Sequence, residues 1–202
     1  MILFMNKTCY NLHLSGSAIA PYLPALAHLR ISVFREFPYL YDGSVEYEAR
    51  YLQTYVNSPD SIAVLLLDGD RVVGASTGLP MAHEEDEFQQ PFLQQGYDPD
   101  TLFYCAESVL LPEYRGRGVY KSFFLGRENH ARQLGGFTHA TFCGVQRPVD
   151  HPMRPAGYLP LDSIWQHFGY TPHPELLTTY TWKDLGETEA SPKPMQFWMK
   201  TL

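Results

Sequence analysis

Cysteine is scarce in this chain. The three present, Cys9, Cys105 and Cys143, are an odd number with no close pair among 202 residues. Such a set provides neither a disulfide framework nor the paired thiols of a zinc site, and it points to a reduced, cytoplasmic setting. Positive charge is also short: 15 Lys and Arg stand against 22 Asp and Glu, a formal net charge of −7. That balance argues against a nucleic-acid partner, which would call for a basic face, and favours a cationic or small neutral one. No apolar run approaches the roughly 20 residues that cross a bilayer, so no membrane partner is expected. The eight histidines show no zinc-ligand spacing, and no metal is expected.

What is present suits a folded, soluble protein. Hydrophobic residues make up 45% of the chain and charged ones 18%, and the length suits one domain over residues 1–202. The N-terminal "MILFMNKTCYNLHLSG" lacks a basic start and reads as a first strand, not a signal peptide. Ser17 is placed to cap a helix through "IAPYLPALAHLRISVFREF", in which Leu26, Arg30, Val33 and Phe37 follow helical spacing. Ser44 opens a second helix, "VEYEARYLQTYV", with Glu46 and Glu48 in its first turn. "IAVLLLDGDRVVGASTGL" reads as a hairpin about Asp68-Gly69-Asp70.

An acidic stretch, "HEEDEFQQPFLQQGYDPD", reads as a solvated loop with room for a short helix. "TLFYCAESVLL" is apolar enough for a central strand. A helix then begins near Gly118, with Tyr120, Phe124, Ala131 and Leu134 facing inward, and stops at Gly135-Gly136. A strand "THATFCGVQ", a Pro-rich loop, a short helix "LDSIWQHFGY" and two closing strands complete the chain. This order predicts a mixed sheet flanked by helices, of α/β or α+β class.

The segment "LLPEYRGRGVYKSFFLG" joins the central strand to a helix through two glycines and two arginines. Glycine lets the backbone approach an anion closely, and a helix N-terminus offers free N–H groups and the positive end of a dipole. The turn therefore suits a phosphate. It is not a Walker loop, because the Gly-Lys-Ser/Thr ending is absent, and its spacing differs from the dinucleotide fingerprint.

"LLPEYRGRGVY" resembles the acyl-CoA signature of the GCN5-related N-acetyltransferases, the GNAT superfamily. Leu110-Leu111-Pro112 matches the strand end, Arg115 the first motif position and Gly118 the central glycine. "WQHFGY" is similar to the close of that family's fourth helix, and the resemblance covers nearly the whole chain in element order. It implies a mostly antiparallel central sheet, acetyl-CoA as co-substrate and an amine as acceptor, of a small molecule or a peptide. A homodimer is compatible with it, since relatives often pair their sheets.

By the same resemblance, the amides of Val109 and Leu110 would meet the pantetheine arm and thioester. Arg115, Gly116, Arg117, Gly118, Val119 and Tyr120 would hold the pyrophosphate. Tyr120 stands where the family usually has Gly or Ala, a departure that crowds the helix start. An alkyl ammonium has no lone pair, so a base must remove its proton, and Glu107 in the central strand is the candidate. Period-two alternation places Cys105 on the same face.

The family's usual acid, a tyrosine of the fourth helix, is replaced here by Trp165. Tyr158 is the favoured substitute, ahead of His151 and His167. The loops at 38–44 and 147–160 would wall the acceptor, with Tyr41, Asp42 and His151 as substrate-binding residues. Tyr47, Tyr51 and Tyr55 recur at i+4, as on one packed helix face. Cys143 reads as a small buried strand residue and not a nucleophile. Two other readings stay open: a catalytically silent acyl-CoA-binding module, and a transferase for a longer acyl group or to a hydroxyl.

Overall fold

The computed structural model describes residues 9–202. The expected first strand begins outside the described residues, and its remainder forms β1 (Cys9–Leu14). A 3-10 helix, Gly16–Tyr22, leads into α1 (Leu23–Phe34). Ser17 therefore lies inside the 3-10 segment and caps nothing. Ser44 does cap: its hydroxyl accepts from the Tyr47 amide at 3.2 Å, ahead of α2 (Val45–Tyr51). The second expected helix breaks at Leu52, and α3 (Gln53–Asn57) follows.

The hairpin forms as expected from β2 (Ile62–Asp68) and β3 (Arg71–Pro80). Its two-residue turn is made possible by Gly69, whose φ is +63°. The acidic stretch contains α4 (Asp86–Gln94). Next come β4 (Leu102–Tyr104), β5 (Ser108–Leu110), α5 (Val119–Leu134) and β6 (His139–Val145). The chain closes with α6 (Asp162–His167), β7 (Thr171–Trp182) and β8 (Ser191–Thr201).

All eight strands join one sheet in the order β1-β2-β3-β4-β6-β8-β7, with β5 beside β3. Every pairing is antiparallel except β4 with β6. This is the mixed, mostly antiparallel sheet the sequence predicts. The pleat divides the apolar residues between two cores. In β2, Ala63, Leu65 and Leu67 join residues of α1, α3 and α4 on one face. Ile62, Val64 and Leu66 join Phe123, Phe124 and Ala131 of α5 on the other. Leu134, expected inward, is 41% exposed, because the last turn of α5 runs past the apolar stripe.

The central strand is not continuous, and this break shapes the site. β4 pairs in parallel with β6, whereas β5 pairs with β3 alone. Between them, the Cys105 amide donates to Thr141 O at 2.7 Å, while Ala106 and Glu107 exchange 3.1 Å bonds with Thr77. Arg127 of α5, 2% exposed, locks the break by donating to Glu107 O at 3.0 Å and Thr77 O at 3.4 Å. Beyond it β5 and β6 part. The irregularity also overturns the expected alternation. Cys105 belongs to the core under α5, whereas the Glu107 carboxylate pairs with Arg30 of α1 on the opposite face.

Candidate active site

Where β5 and β6 part, a cavity of about 300 Å³ opens between the two layers of helices. Its walls come from the break (Cys105 to Ser108), from β6 (Phe142 to Val145), from α5 (Tyr120, Phe124, Arg127), and from the loop and helix around Tyr158 and Trp165. A second chamber of about 80 Å³ lies on the α1–α4 side, and most of the residues lining it are aromatic. Phe34, Tyr39, Ala106, Glu107 and Cys143 line both. Glu107 thus stands where the two spaces meet.

Ladder geometry decides which amides of β5 face the cavity. Leu111 N–H donates to Val73 O and Thr77 N–H to Glu107 O, so residues 107, 109 and 111 turn their backbone groups toward β3. Antiparallel alternation then turns Ser108 and Leu110 toward the splay. This corrects the expectation for Val109, whose amide is engaged opposite Ala75. Leu110 keeps its expected place, with Ser108 beside it.

The glycine turn has the expected form. Gly116 and Gly118 adopt φ of +72° and +76°, and a Cβ at either would meet nothing within 4 Å. Glycine suits both positions through its left-handed backbone. Gly118 is the residue before α5, and no side chain caps the first turn. The amides of Val119 and Tyr120 therefore begin a helix whose donors are free for an anion. Arg115 donates to Leu110 O at 3.0 Å and to Glu36 at 2.9 Å. Arg117 donates to Glu113 O at 2.6 Å and lies over the Tyr114 ring. Both arginines stay exposed at the rim. The Tyr120 ring turns inward to line the larger cavity and meets Phe123 edge-on at 6.2 Å.

Glu107 is 6% exposed. Its Oε2 contacts the Arg30 guanidinium and accepts from Tyr55 at 3.3 Å, while Oε1 has no partner. Arg30, itself 8% exposed, also pairs with Glu48, whose own Oε1 is unpartnered. One buried cation thus serves two buried carboxylates. Glu84, 6% exposed, is a third, again with an orphan Oε1. Burial pushes its carboxyl up to about 8, and the Glu107 charge adds to the effect.

The remaining expected residues separate. Tyr158 lines the larger cavity, edge-on to Phe37 at 4.7 Å, and burial raises its phenol. Tyr41 lines the aromatic chamber. Asp42 lines neither space; it is held at the surface by Lys183 at 2.8 Å and Arg35 at 3.3 Å. His151 also lies outside both linings, against Phe37 at 5.6 Å, and its Nδ1 accepts from the Met153 amide. Neither residue lines the larger cavity or the aromatic chamber.

Trp165 lies over Gly144, where a Cβ would come within 2.8 Å of the indole, and packs on Phe142 and Trp198. It is a wall of the cavity. Cys143 bonds Tyr104 Oη at 3.2 Å, and burial pushes its thiol up to about 12. A thiol so strongly protonated is not a nucleophile at neutral pH.

Sequence reasoning missed Arg30, Glu84, Arg127 and Tyr180. An arginine within the apolar stripe Leu26-Arg30-Val33 was a usable signal, since such a position demands a buried partner. Nothing comparable marks Glu84 among its acidic neighbours.

Solved structures share this architecture. Arabidopsis thaliana NAA60, in complex with a bisubstrate analogue, aligns over 96% of this chain and 99% of its own, with a TM-score of 0.61 and 11% identity. The ribosomal-protein-alanine N-acetyltransferase of Brucella melitensis aligns over 96% and 99%, with a TM-score of 0.59 and 13% identity. A GNAT-family protein from Desulfovibrio desulfuricans aligns over 96% and 99%, with a TM-score of 0.54 and 10% identity. At these identities the likeness establishes the fold, which is that of the GNAT acetyltransferases. No protein-family model matches the chain, and no curated protein matches it in sequence.

Proposed function

We propose that the protein is an acetyl-CoA-dependent N-acetyltransferase of the GNAT type, acting on a primary amine by direct attack. The observation that carries this reading is the splay of β5 from β6, which leaves Ser108 lining a cavity beside Glu107 and turns Leu110 toward the same gap. Bound acetyl-CoA would supply an acetyl group activated as a thioester.

The residues present fit that molecule. Donors from Gly116 to Tyr120, with Arg115 and Arg117 at the rim, suit a pyrophosphate. Ser108 and Leu110 offer amides to an extended pantetheine arm, and they lie where negative charge on a carbonyl oxygen would be stabilised. Glu107, through its free Oε1, takes the proton of the incoming amine. Tyr158 donates a proton to the leaving sulfur. Its raised phenol makes it a weak acid, and a CoA thiol, with an ordinary thiol pKa of about 8.5, leaves without much help. A cytoplasmic site of action belongs to the same proposal. Among the described residues no helix is long and apolar enough to cross a membrane.

Calorimetric titration with acetyl-CoA and with CoA tests the reading, and both are expected to bind. Absence of any affinity would overturn it. Glu107→Gln is expected to lower kcat by about 100-fold or more while leaving the acetyl-CoA Kd unchanged. Binding without CoA release across a panel of primary amines would instead favour the silent acyl-CoA-binding module.

A further inference from the structure

The geometry points to the aromatic chamber beside Glu107 as a site for an unbranched alkyl ammonium, an amine at the end of a methylene stem as in a lysine side chain, and not for the α-amine of a peptide. The inference rests on the acetyltransferase reading and names the acceptor class for that same site. Its walls are the rings of Tyr39, Tyr41, Tyr47, Tyr51, Phe88 and Tyr180. Tyr47, Tyr51 and Tyr180 are partly exposed, and Glu107 lies at the junction with the larger cavity.

Three features call for a cation. Ring faces carry negative potential and hold ammonium groups. The protein already uses them so, with the Arg30 guanidinium 4.4 Å from the Tyr51 centroid and 5.1 Å from that of Phe34. Carboxylates outnumber cations, since Glu48 and Glu107 share Arg30 and each keeps an unpartnered oxygen. The Glu107 Oε1 is such an oxygen on the chamber wall itself, on a residue 94% buried (6% exposed).

The same walls discriminate against an α-amine. A peptide N-terminus carries a branch and a carbonyl within two bonds of its nitrogen, and that carbonyl needs a donor. Among the residues lining the chamber, the side-chain donors are the phenols, Arg30 and the Trp182 indole, which already donates to Tyr39 O at 3.0 Å. Tyr47 and Tyr180 are bonded to each other at 2.6 Å, and Tyr51 to Tyr55 at 3.0 Å. A peptide carbonyl brought beside Glu107 would give up its water and find only these phenols to replace it. A methylene stem brings only C–H groups against the rings. It would leave its parent molecule outside the mouth.

The experiment compares pentylamine and Nα-acetyl-lysine methylamide with a lysine-free peptide bearing a free N-terminal alanine. kcat/KM is measured for each, and acetyl-CoA affinity separately by calorimetry. The two alkylamines are expected to exceed the peptide by about 100-fold. Tyr180→Leu is expected to lose more than 10-fold in kcat/KM for pentylamine with acetyl-CoA affinity unchanged, and Tyr180→Phe to stay within about 3-fold. Acetyl-CoA binding with the peptide preferred, with neither class turned over, or with Tyr180→Leu indistinguishable from wild type, would overturn the inference alone. Loss of acetyl-CoA binding itself would instead remove the reading beneath it.

Discussion

Glu84 stands in the run "HEEDE", where composition suggests four carboxylates in water. Its neighbours Glu85, Asp86 and Glu87 are indeed exposed, but Glu84 is buried and its carboxyl is pushed up to about 8 from an ordinary 4.5. Between those pH values the folded protein holds a proton that the unfolded chain has released. Stability therefore falls as pH rises through that window, by up to about 1.4 kcal/mol per unit. Glu84→Gln removes the dependence. Thermal melts from pH 5 to pH 8 should show Tm declining more steeply in the wild type than in the variant; parallel declines would contradict the assignment. Glu107 could be singled out because the family resemblance places a carboxylate at that point of the central strand. Glu84 could not, because composition carries no record of which member of an acidic run turns inward.

Among the elements, the turn before α5 was the most legible. Glycines at 116 and 118 announce a backbone that L side chains avoid, and both adopt positive φ. Gly118→Ala should cost about 1–2 kcal/mol of stability through that left-handed conformation. It should also weaken acetyl-CoA binding, because the first amides of α5 would be re-aimed. Denaturant unfolding and calorimetry check the two effects, and unchanged values in both would show that the turn tolerates a Cβ. The central strand was less legible. "TLFYCAESVLL" has the composition of one unbroken strand, yet Cys105 to Glu107 leave the ladder. The group that holds the break lies 20 residues from Glu107, in the Arg127 guanidinium that donates to the Glu107 and Thr77 carbonyls. A contact made in space leaves no local trace in a strand pattern. Asp42 and His151 illustrate a related point: sequence proximity to a pocket wall does not say which way a side chain turns, and these two lie against Lys183 and Phe37.

For the whole molecule, the predicted order of strands and helices matches the sheet except at the breaks that carry neither Gly nor Pro, at Leu52 and at Cys105 to Glu107. Arg147 ties the parts that flank the site. It binds Asp184 through both terminal nitrogens at 2.7 and 2.9 Å, and donates to Pro38 O and Tyr39 O at 2.7 and 2.8 Å. The loop after α1 is thereby fixed to the end of β6 and to the segment after β7.

The gap between β5 and β6 has a kinetic corollary. Opening as it does toward both faces of the sheet, with Glu107 at the crossing, it would let the two reactants of the proposed transfer arrive from opposite sides and be present together. With the Cys143 thiol too weakly acidic to form an attacking thiolate, neither product of the proposed transfer would need to depart before the second reactant enters. Initial rates measured at several fixed concentrations of one reactant should therefore give double-reciprocal lines that intersect; parallel lines would mean the acyl group rests on the protein in transit.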